Sequence, residues 1–402
     1  MNEKQLEAFN IVKSGLNLFL TGAAGTGKSF TIKSIINYLE SNNIKYGLTA
    51  MTGCAAVLIG GQTIHSFLYM GISRNLDEIY KNIEKYKGIL YKLKKIQTII
   101  IDEISMMDAD LFELINNLLM KIKGNSKLFG GIQMILVGDF YQLPPINGDF
   151  CFTSPIWNLL NLKKIILIDL IRQKDDNKLQ EILSEIRNGN IKQETFDLLD
   201  GLKETQFKNK DIKPTKLYPI NINVDKINNY EFKKLLKLNN NSYFHYKASK
   251  INHFSKINDD KLKEYDVTLT LNAQVMVIRN ISIENKLYNG SRGVVIELNE
   301  SSVIIKDIND NLHTINYYFD NINDKDKCIK FIPLKLAYAI SIHKSQGASI
   351  DYLELDLGDD IFISGQLYTA LSRATNINNI KIVNLSKLSF IQNEKVKNFY
   401  SF

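Results

Sequence analysis

Cysteine is scarce in this chain: there are three in 402 residues, Cys54, Cys151 and Cys328, far apart and odd in number. Such a set makes no disulfide framework and points to a reducing compartment. The five histidines include no pair at metal-ligand spacing, which excludes a structural zinc site. No apolar run approaches the roughly 20 residues that a membrane-spanning helix needs. The N-terminal MNEKQLEAFNIVKSG is charged and amphipathic, unlike a signal peptide. The expectation is an intracellular protein, cytoplasmic or nucleoid-associated, without signal, transit or membrane segment. Internal repeats and low-complexity linkers are also missing, so solenoids and flexible tandem arrays are set aside.

What is present is the composition of a folded protein, 45% hydrophobic and 23% charged, with a formal net charge of +7. That excess tilts toward an anionic partner without specifying one. Short β-branched runs alternate with helical patterns early in the chain: NLFLT, KYGLT, QTIII, QMILV and IILIDL. This rhythm predicts parallel βαβ units and an α/β domain over residues 1–165. TKLYPI, AQVMVI, KLAYAISI, YLELDL and IKIVNL predict a second sheet over 166–285 and 334–402. Between its two parts, NGSRGVVIEL, SSVIIKDI and NLHTINYY read as hairpin strands, predicting a small β-barrel-like insertion at 286–333, with Asn289-Gly290 and Arg292-Gly293 at its turns.

GAAGTGKS, from Gly22 through Ala23, Ala24, Gly25, Thr26 and Gly27 to Lys28 and Ser29, follows the first strand and opens a helix. In that setting it is a phosphate-binding loop. Backbone N–H groups close on the phosphates of ATP, Lys28 reaches the β/γ-phosphates and Ser29 holds Mg²⁺. QTIII runs into Asp102 and Glu103, so one carboxylate is offered to Mg²⁺ and the other to the attacking water. Arg172, in DLIRQ, and Arg373, in LYTALSRAT, could each reach a γ-phosphate, although each taken singly also reads as a surface ion-pair residue. A phosphate loop alone does not separate kinases, switches and motors.

The motif series does separate them. GAAGTGKS, IDEIS, GDFYQLPP, LIRQ, ISIHKSQGASID and YTALSRA stand in the order of the helicase motifs of superfamily 1. LTAMTGCAAVLIGGQTIHSF and DEISMMDADLFELINNLLMKIK resemble segments of its petite-integration-frequency (Pif) type, related to the RecD type. The resemblance covers nearly all of the chain. It implies two RecA-like domains, ATP between them, and 5′-to-3′ movement along single-stranded DNA that parts duplex or structured DNA in replication, repair or recombination. It further implies that Gln5 contacts adenine, that Gln346 joins the nucleotide-binding set, that Asp102 holds the metal, that Glu103 is the base and that Arg172 and Arg373 are paired fingers. Gln142, after Asp139 in GDFYQLPP, is expected to sense the γ-phosphate or the attacking water.

Expected DNA contacts are Thr52, Gly53, Thr63, His65 and Phe67 in the first half, and His343, Lys344 and Ser345 in the second, with Gln346 a further phosphate donor. Residues 69–96, with lysines interleaved by Tyr86 and Tyr91, occupy the position of the family's wedge insertion; the same stretch also reads as a solvated helix face. In the Pif-type segment, Met107, Leu111, Leu114 or Ile115, Leu118 and Ile122 recur at helical spacing and predict a packing helix. Met106, Phe152 and Trp157 are further core candidates. Expected partners are tailed or forked DNA, with a monomer as the motor unit and replication or repair proteins as possible associates. Three other readings are weaker: a RecD-like motor inside a complex, a single-strand-binding module with a vestigial ATPase, and a small-molecule kinase.

Overall fold

The computed structural model describes residues 1–71, 73–207, 213–219, 221–251, 259–279, 281, 287, 290–307, 309–320, 328–358 and 361–401. The chain divides into two compact units: Met1–Lys174 with Ile363–Gly365 and Gln392–Phe402, and Asp175–Phe362 with Gln366–Ile391.

The first unit is built on six strands, β1 (Leu18–Gly22), β2 (Tyr46–Ala50), β3 (Gln62–Thr63), β4 (Thr98–Asp102), β5 (Gln133–Val137) and β6 (Lys163–Leu167), in the order β3-β2-β4-β5-β1-β6. Every pairing is parallel. All five residues of β1 and of β4 are buried, as expected of a sheet covered on both faces. Helix α1 (Glu3–Lys13) begins with a reciprocal cap in which Asn2 Oδ1 accepts from Gln5 N and Gln5 Oε1 accepts from Asn2 N. Helix α2 (Lys28–Ser41) starts at the end of the phosphate loop.

The Pif-type segment folds as a 3₁₀ turn, Ile104–Met106, and the helix Ala109–Lys123. Asp108 caps that helix by accepting from Leu111 N at 2.8 Å. Met107, Leu111, Leu114, Ile115, Leu118 and Ile122 are buried, as are Phe152 and Trp157. Met106 is only half-buried, because the 3₁₀ turn breaks the helical phase before the helix begins. Residues 76–95 form two helices, Leu76–Glu84 and Lys87–Lys95, that bury Ile79, Ile83 and Leu93 and leave Tyr86 and Tyr91 exposed.

The second unit holds a four-stranded parallel sheet in the order Ala339–Ser341, Thr215–Tyr218, Leu353–Leu357, Ile380–Leu385. Beside it stands a five-stranded antiparallel sheet, ordered Leu312–Asn316, Ser302–Asp307, Arg292–Leu298, Gln274–Val277, Leu334–Leu336. The structure departs here from the sequence expectation. Gln274–Val277, placed in the parallel sheet by its AQVMVI run, pairs antiparallel, so the antiparallel part begins before residue 286. A four-residue strand buried along its whole length has no alternation to reveal its partners. Arg292 and Gly293, read as turn residues, begin a strand, and Arg292 is buried. Asn289 lies outside the described residues.

A second difference concerns the end of the chain. Gln392–Phe402 belongs to the first unit instead of following the rest of 334–402. Its helix, Glu394–Ser401, carries Phe399 into an aromatic cluster with Phe19, Phe140, Phe152 and Trp157. Phe399 is half-buried there, and with the fully buried Val396 it seats the helix against this core.

Candidate nucleotide site and nucleic-acid interface

Three adjacent strands of the first unit bring the sequence motifs together. β5 lies between β1 and β4, with Leu20 paired to Val137 and Leu136 paired to Ile101. Each strand ends in a different element: β1 in the phosphate loop, β4 in Asp102-Glu103, and β5 in the Gly138–Gln142 loop. All three emerge at the carboxyl edge of the sheet, where open parallel sheets bind ligands.

The phosphate loop is shaped by its glycines. Gly27 has φ 88°, and a Cβ there would come within 2.7 Å of Gln5 Nε2 and 2.9 Å of Ile171 Cδ1. Gly25 has φ 87°; its carbonyl accepts from Ile171 N at 2.9 Å and Arg172 N at 3.3 Å, so the backbone of Arg172 is docked on the loop. Lys28 Nζ donates to the carbonyls of Gly22 (2.7 Å) and Ala23 (3.0 Å), and Thr26 Oγ1 donates to Ala23 (2.9 Å). Ala24 is buried and Ser29 is exposed at the start of α2. Gln5 is buried with its Oε1 used in the helix cap, while its Nε2 has no hydrogen-bond partner among the described residues. A buried amide donor left unmatched beside a phosphate loop is the kind of group a base edge satisfies.

Asp102 is 8% exposed and accepts from Glu103 N at 2.9 Å. Burial, then the neighbouring Glu103 charge, pushes its carboxyl up to about 7, against that backbone hydrogen bond and the Lys28 charge. A divalent cation beside it would reverse that balance. Among the described residues no three His, Cys, Asp or Glu side chains cluster as metal ligands. Asp102 and Ser29 carry hard oxygen donors of the kind that could hold Mg²⁺ together with the phosphates of a nucleotide. Glu103 is half-buried and adopts φ 54°, ψ 43°, a left-handed conformation that costs a non-glycine residue about 1–3 kcal/mol and that concentrates at functional sites.

Gln142 is 4% exposed. The loop carrying it is folded by Asp139, whose carbonyl accepts from Gln142 N (2.9 Å) and whose Oδ1 accepts from Tyr141 N (3.3 Å). Gly138 runs close to the turn after Asp102, where a Cβ would stand 3.0 Å from Ile104 N.

Of the expected DNA contacts in the first unit, Thr52 and Thr63 act as helix caps, accepting from Ala55 N and Ser66 N. A capping hydroxyl still has its proton to donate. Gly53 opens the short helix Gly53–Leu58. His65 is half-buried; burial, then the charge of Arg74, lowers its pKa against the pull of Asp108. Arg74 itself makes two hydrogen bonds of 2.8 Å to Asp108. The Phe67 ring is half-buried, its tip beside Gly47 and its packed side against the core.

In the second unit His343 is half-buried and Lys344 exposed, both in a 3₁₀ turn. Ser345 is buried and its hydroxyl donates to Ile342 O at 2.7 Å, so it is turned inward and not presented as a phosphate donor. Gln346 is buried, and neither of its amide atoms has a partner among the described residues. Arg373 is 1% exposed, with Nε donating to Thr369 O, Nη1 to Ser345 O and Nη2 to Ser372 Oγ. Sequence reasoning passed over Tyr400, whose hydroxyl lies within hydrogen-bond reach of Thr21 and Phe140. The apolar spacing of Val396 and Phe399 was the available signal for its helix.

Comparison with known proteins agrees with the motif series. The family model described as PIF1-like helicase matches residues 1–197. ATP-dependent DNA helicase Pif1 of Bdellovibrio bacteriovorus is 31% identical over 100% of this chain and 91% of its own length. The crystal structure of Pif1 helicase from Candida albicans is 29% identical with a TM-score of 0.81, covering 100% of this chain and 99% of that one. Pif1 helicase from Bacteroides in complex with ADP-AlF3 and single-stranded DNA is 26% identical with a TM-score of 0.70, covering 100% and 96%. With its α/β fold, parallel sheets and strand-end motifs, this chain belongs to the PIF1-like helicase family.

Proposed function

We propose that this protein is an ATP-driven DNA helicase that moves 5′ to 3′ on single-stranded DNA and parts tailed or forked duplexes. Its two parallel sheets are read as RecA-like domains, residues 69–96 as the wedge and the antiparallel part of the second unit as an insertion. The observation that carries the reading is the adjacency of β1, β5 and β4, whose ends deliver Lys28, Gln142 and the Asp102-Glu103 pair to one edge of one sheet.

The roles follow from that edge. Gln5 binds the adenine edge; the loop from Gly22 to Gly27 and Lys28 bind the phosphates; Glu103 orients and deprotonates the attacking water. Gln142 reads the γ-phosphate or that water. Ser29 and Asp102, with the phosphates, would hold Mg²⁺, which would supply charge neutralisation for in-line phosphoryl transfer. Arg172 and Arg373 are assigned to transition-state charge, and Gln346 to the nucleotide-binding set. Thr52, Gly53, Thr63, His65, His343 and Lys344 are assigned to the DNA backbone, which makes binding sequence-tolerant and salt-dependent.

Strand displacement on matched duplexes with a 5′ or a 3′ single-stranded tail tests the proposal, with Lys28→Ala as control. Unwinding from the 5′ tail alone is expected. Unwinding from the 3′ tail alone would refute the polarity, and DNA-stimulated ATPase without unwinding would make this a motor that works only with a partner.

A further inference from the structure

We propose that Tyr400 is a positioning residue for ATP hydrolysis, its hydroxyl tying the residue before the phosphate loop to the loop that carries Gln142. The proposal rests on the reading of Gln142 as the nucleotide sensor. Tyr400 Oη lies 2.7 Å from Thr21 Oγ1, 3.2 Å from Phe140 N and 3.5 Å from Asp139 Oδ1. One assignment satisfies all three contacts: Thr21 and Phe140 N donate to the tyrosine oxygen, which donates its proton to the Asp139 carboxylate. Thr21 immediately precedes Gly22, and Asp139 folds the turn that presents Gln142. The hydroxyl thus joins the ends of β1 and β5, which are also linked by Gly138 N donating to Leu20 O at 3.1 Å.

Packing alone does not require this group. Val396 and Phe399 seat the helix Glu394–Ser401, and Lys395 holds Asp149 at 2.5 Å. The Tyr400 ring stacks on Tyr141, with centroids 4.9 Å apart and planes 12° from parallel. A phenylalanine would keep that stack and lose only the polar node. The node therefore fixes the spacing between phosphate loop and sensor loop, the geometry on which an attack-ready water depends.

The test uses the full chain with Tyr400→Phe, Thr21→Val, Gln142→Ala and the Tyr400→Phe/Gln142→Ala double variant. DNA-stimulated kcat is expected to fall about three- to tenfold in Tyr400→Phe, the scale of one buried hydrogen-bond node. KM for ATP and single-strand affinity stay at their wild-type values, and the double variant is no slower than Gln142→Ala because both act through one group. Thr21→Val, which removes the partner hydroxyl at constant shape, gives the same kcat loss and reads the node if Tyr400→Phe fails to fold. Full turnover in Tyr400→Phe beside a slowed Gln142→Ala overturns the role of Tyr400 and leaves Gln142 in place. Additive losses overturn it too. Full turnover in both variants overturns the sensor reading itself.

Discussion

The two units present their arginines in opposite ways. In the first, Arg172 is held through its backbone, whose N–H rests on Gly25 O of the phosphate loop, and its side chain is half-buried. In the second, Arg373 is held through its side chain, which donates to Thr369, Ser345 and Ser372 within a buried turn. What separates the two is depth: a half-buried guanidinium can still reach solvent, whereas one that is 1% exposed and donates to three neighbours is a matter of folding as well as function. A motif residue proposed for catalysis can therefore also carry structural weight, as Arg373 does.

The largest effect that can break this comparison lies in the first unit. Lys28→Ala removes the charge proposed to bind phosphate, so ATP turnover is expected to drop at least about 100-fold, the scale of losing a transition-state charge contact. Single-strand binding, measured by fluorescence anisotropy, should survive, and undiminished turnover would remove the loop from the reaction. Glu103→Gln comes next. It keeps the side-chain shape on the strained left-handed backbone and removes the proposed base, with an expected loss of about 10²–10⁴-fold in single-turnover hydrolysis. Turnover near wild type would pass the base to another group.

Arg373→Lys and Arg172→Lys sharpen the contrast directly. Lysine keeps the charge and loses the planar fork. At position 373 it should cost about 1–3 kcal/mol in urea unfolding as well as turnover, because buried acceptors lose their donors. At position 172, where the side chain is only half-buried, it should slow turnover and cost less stability than at position 373. Equal unfolding midpoints for the two variants would erase the distinction drawn between the units.

The same contrast sets what was legible in the sequence. In the first unit, β-branched runs, the glycine spacing and the acid pair are local signals, and β1, β2, β4 and β5 fall where those signals put them. The helix Ala109–Lys123 follows its apolar period. Where the outcome depended on distant partners, local signals failed. Gln274–Val277 joins the antiparallel sheet because Arg292–Val294 and Leu334–Leu336 are its neighbours, which its own four residues cannot encode. Arg292 beside a glycine reads as a turn, yet Lys213 O and Tyr352 O, far away in sequence, accept from it inside the fold. Burial lowers its pKa to about 10 and still leaves it charged at neutral pH. Ser345 carries the right chemistry for DNA contact and is turned inward by packing that no motif specifies.

The smallest expected effect tests whether His65 belongs with the presented or the inward-turned residues. Burial, followed by the Arg74 charge, holds its folded-state pKa below the usual histidine value. The unfolded chain then binds the proton more readily, so stability is greatest above about pH 6.5 and declines as pH falls through that value toward the folded pKa. His65→Gln should remove that part of the acid-side loss, seen as a smaller shift of the urea midpoint on going from about pH 7.5 to pH 5.5 than in wild type. Protonation also adds a positive charge next to the expected path of the DNA. On acidification, wild-type single-strand affinity should therefore rise relative to His65→Gln while stability falls relative to it. Only a histidine that is both partly buried and in contact with phosphate moves the two measurements in opposite directions. A stability difference without an affinity difference would assign His65 to packing and leave Thr52, Thr63 and Phe67 as the first unit's proposed side-chain contacts to DNA.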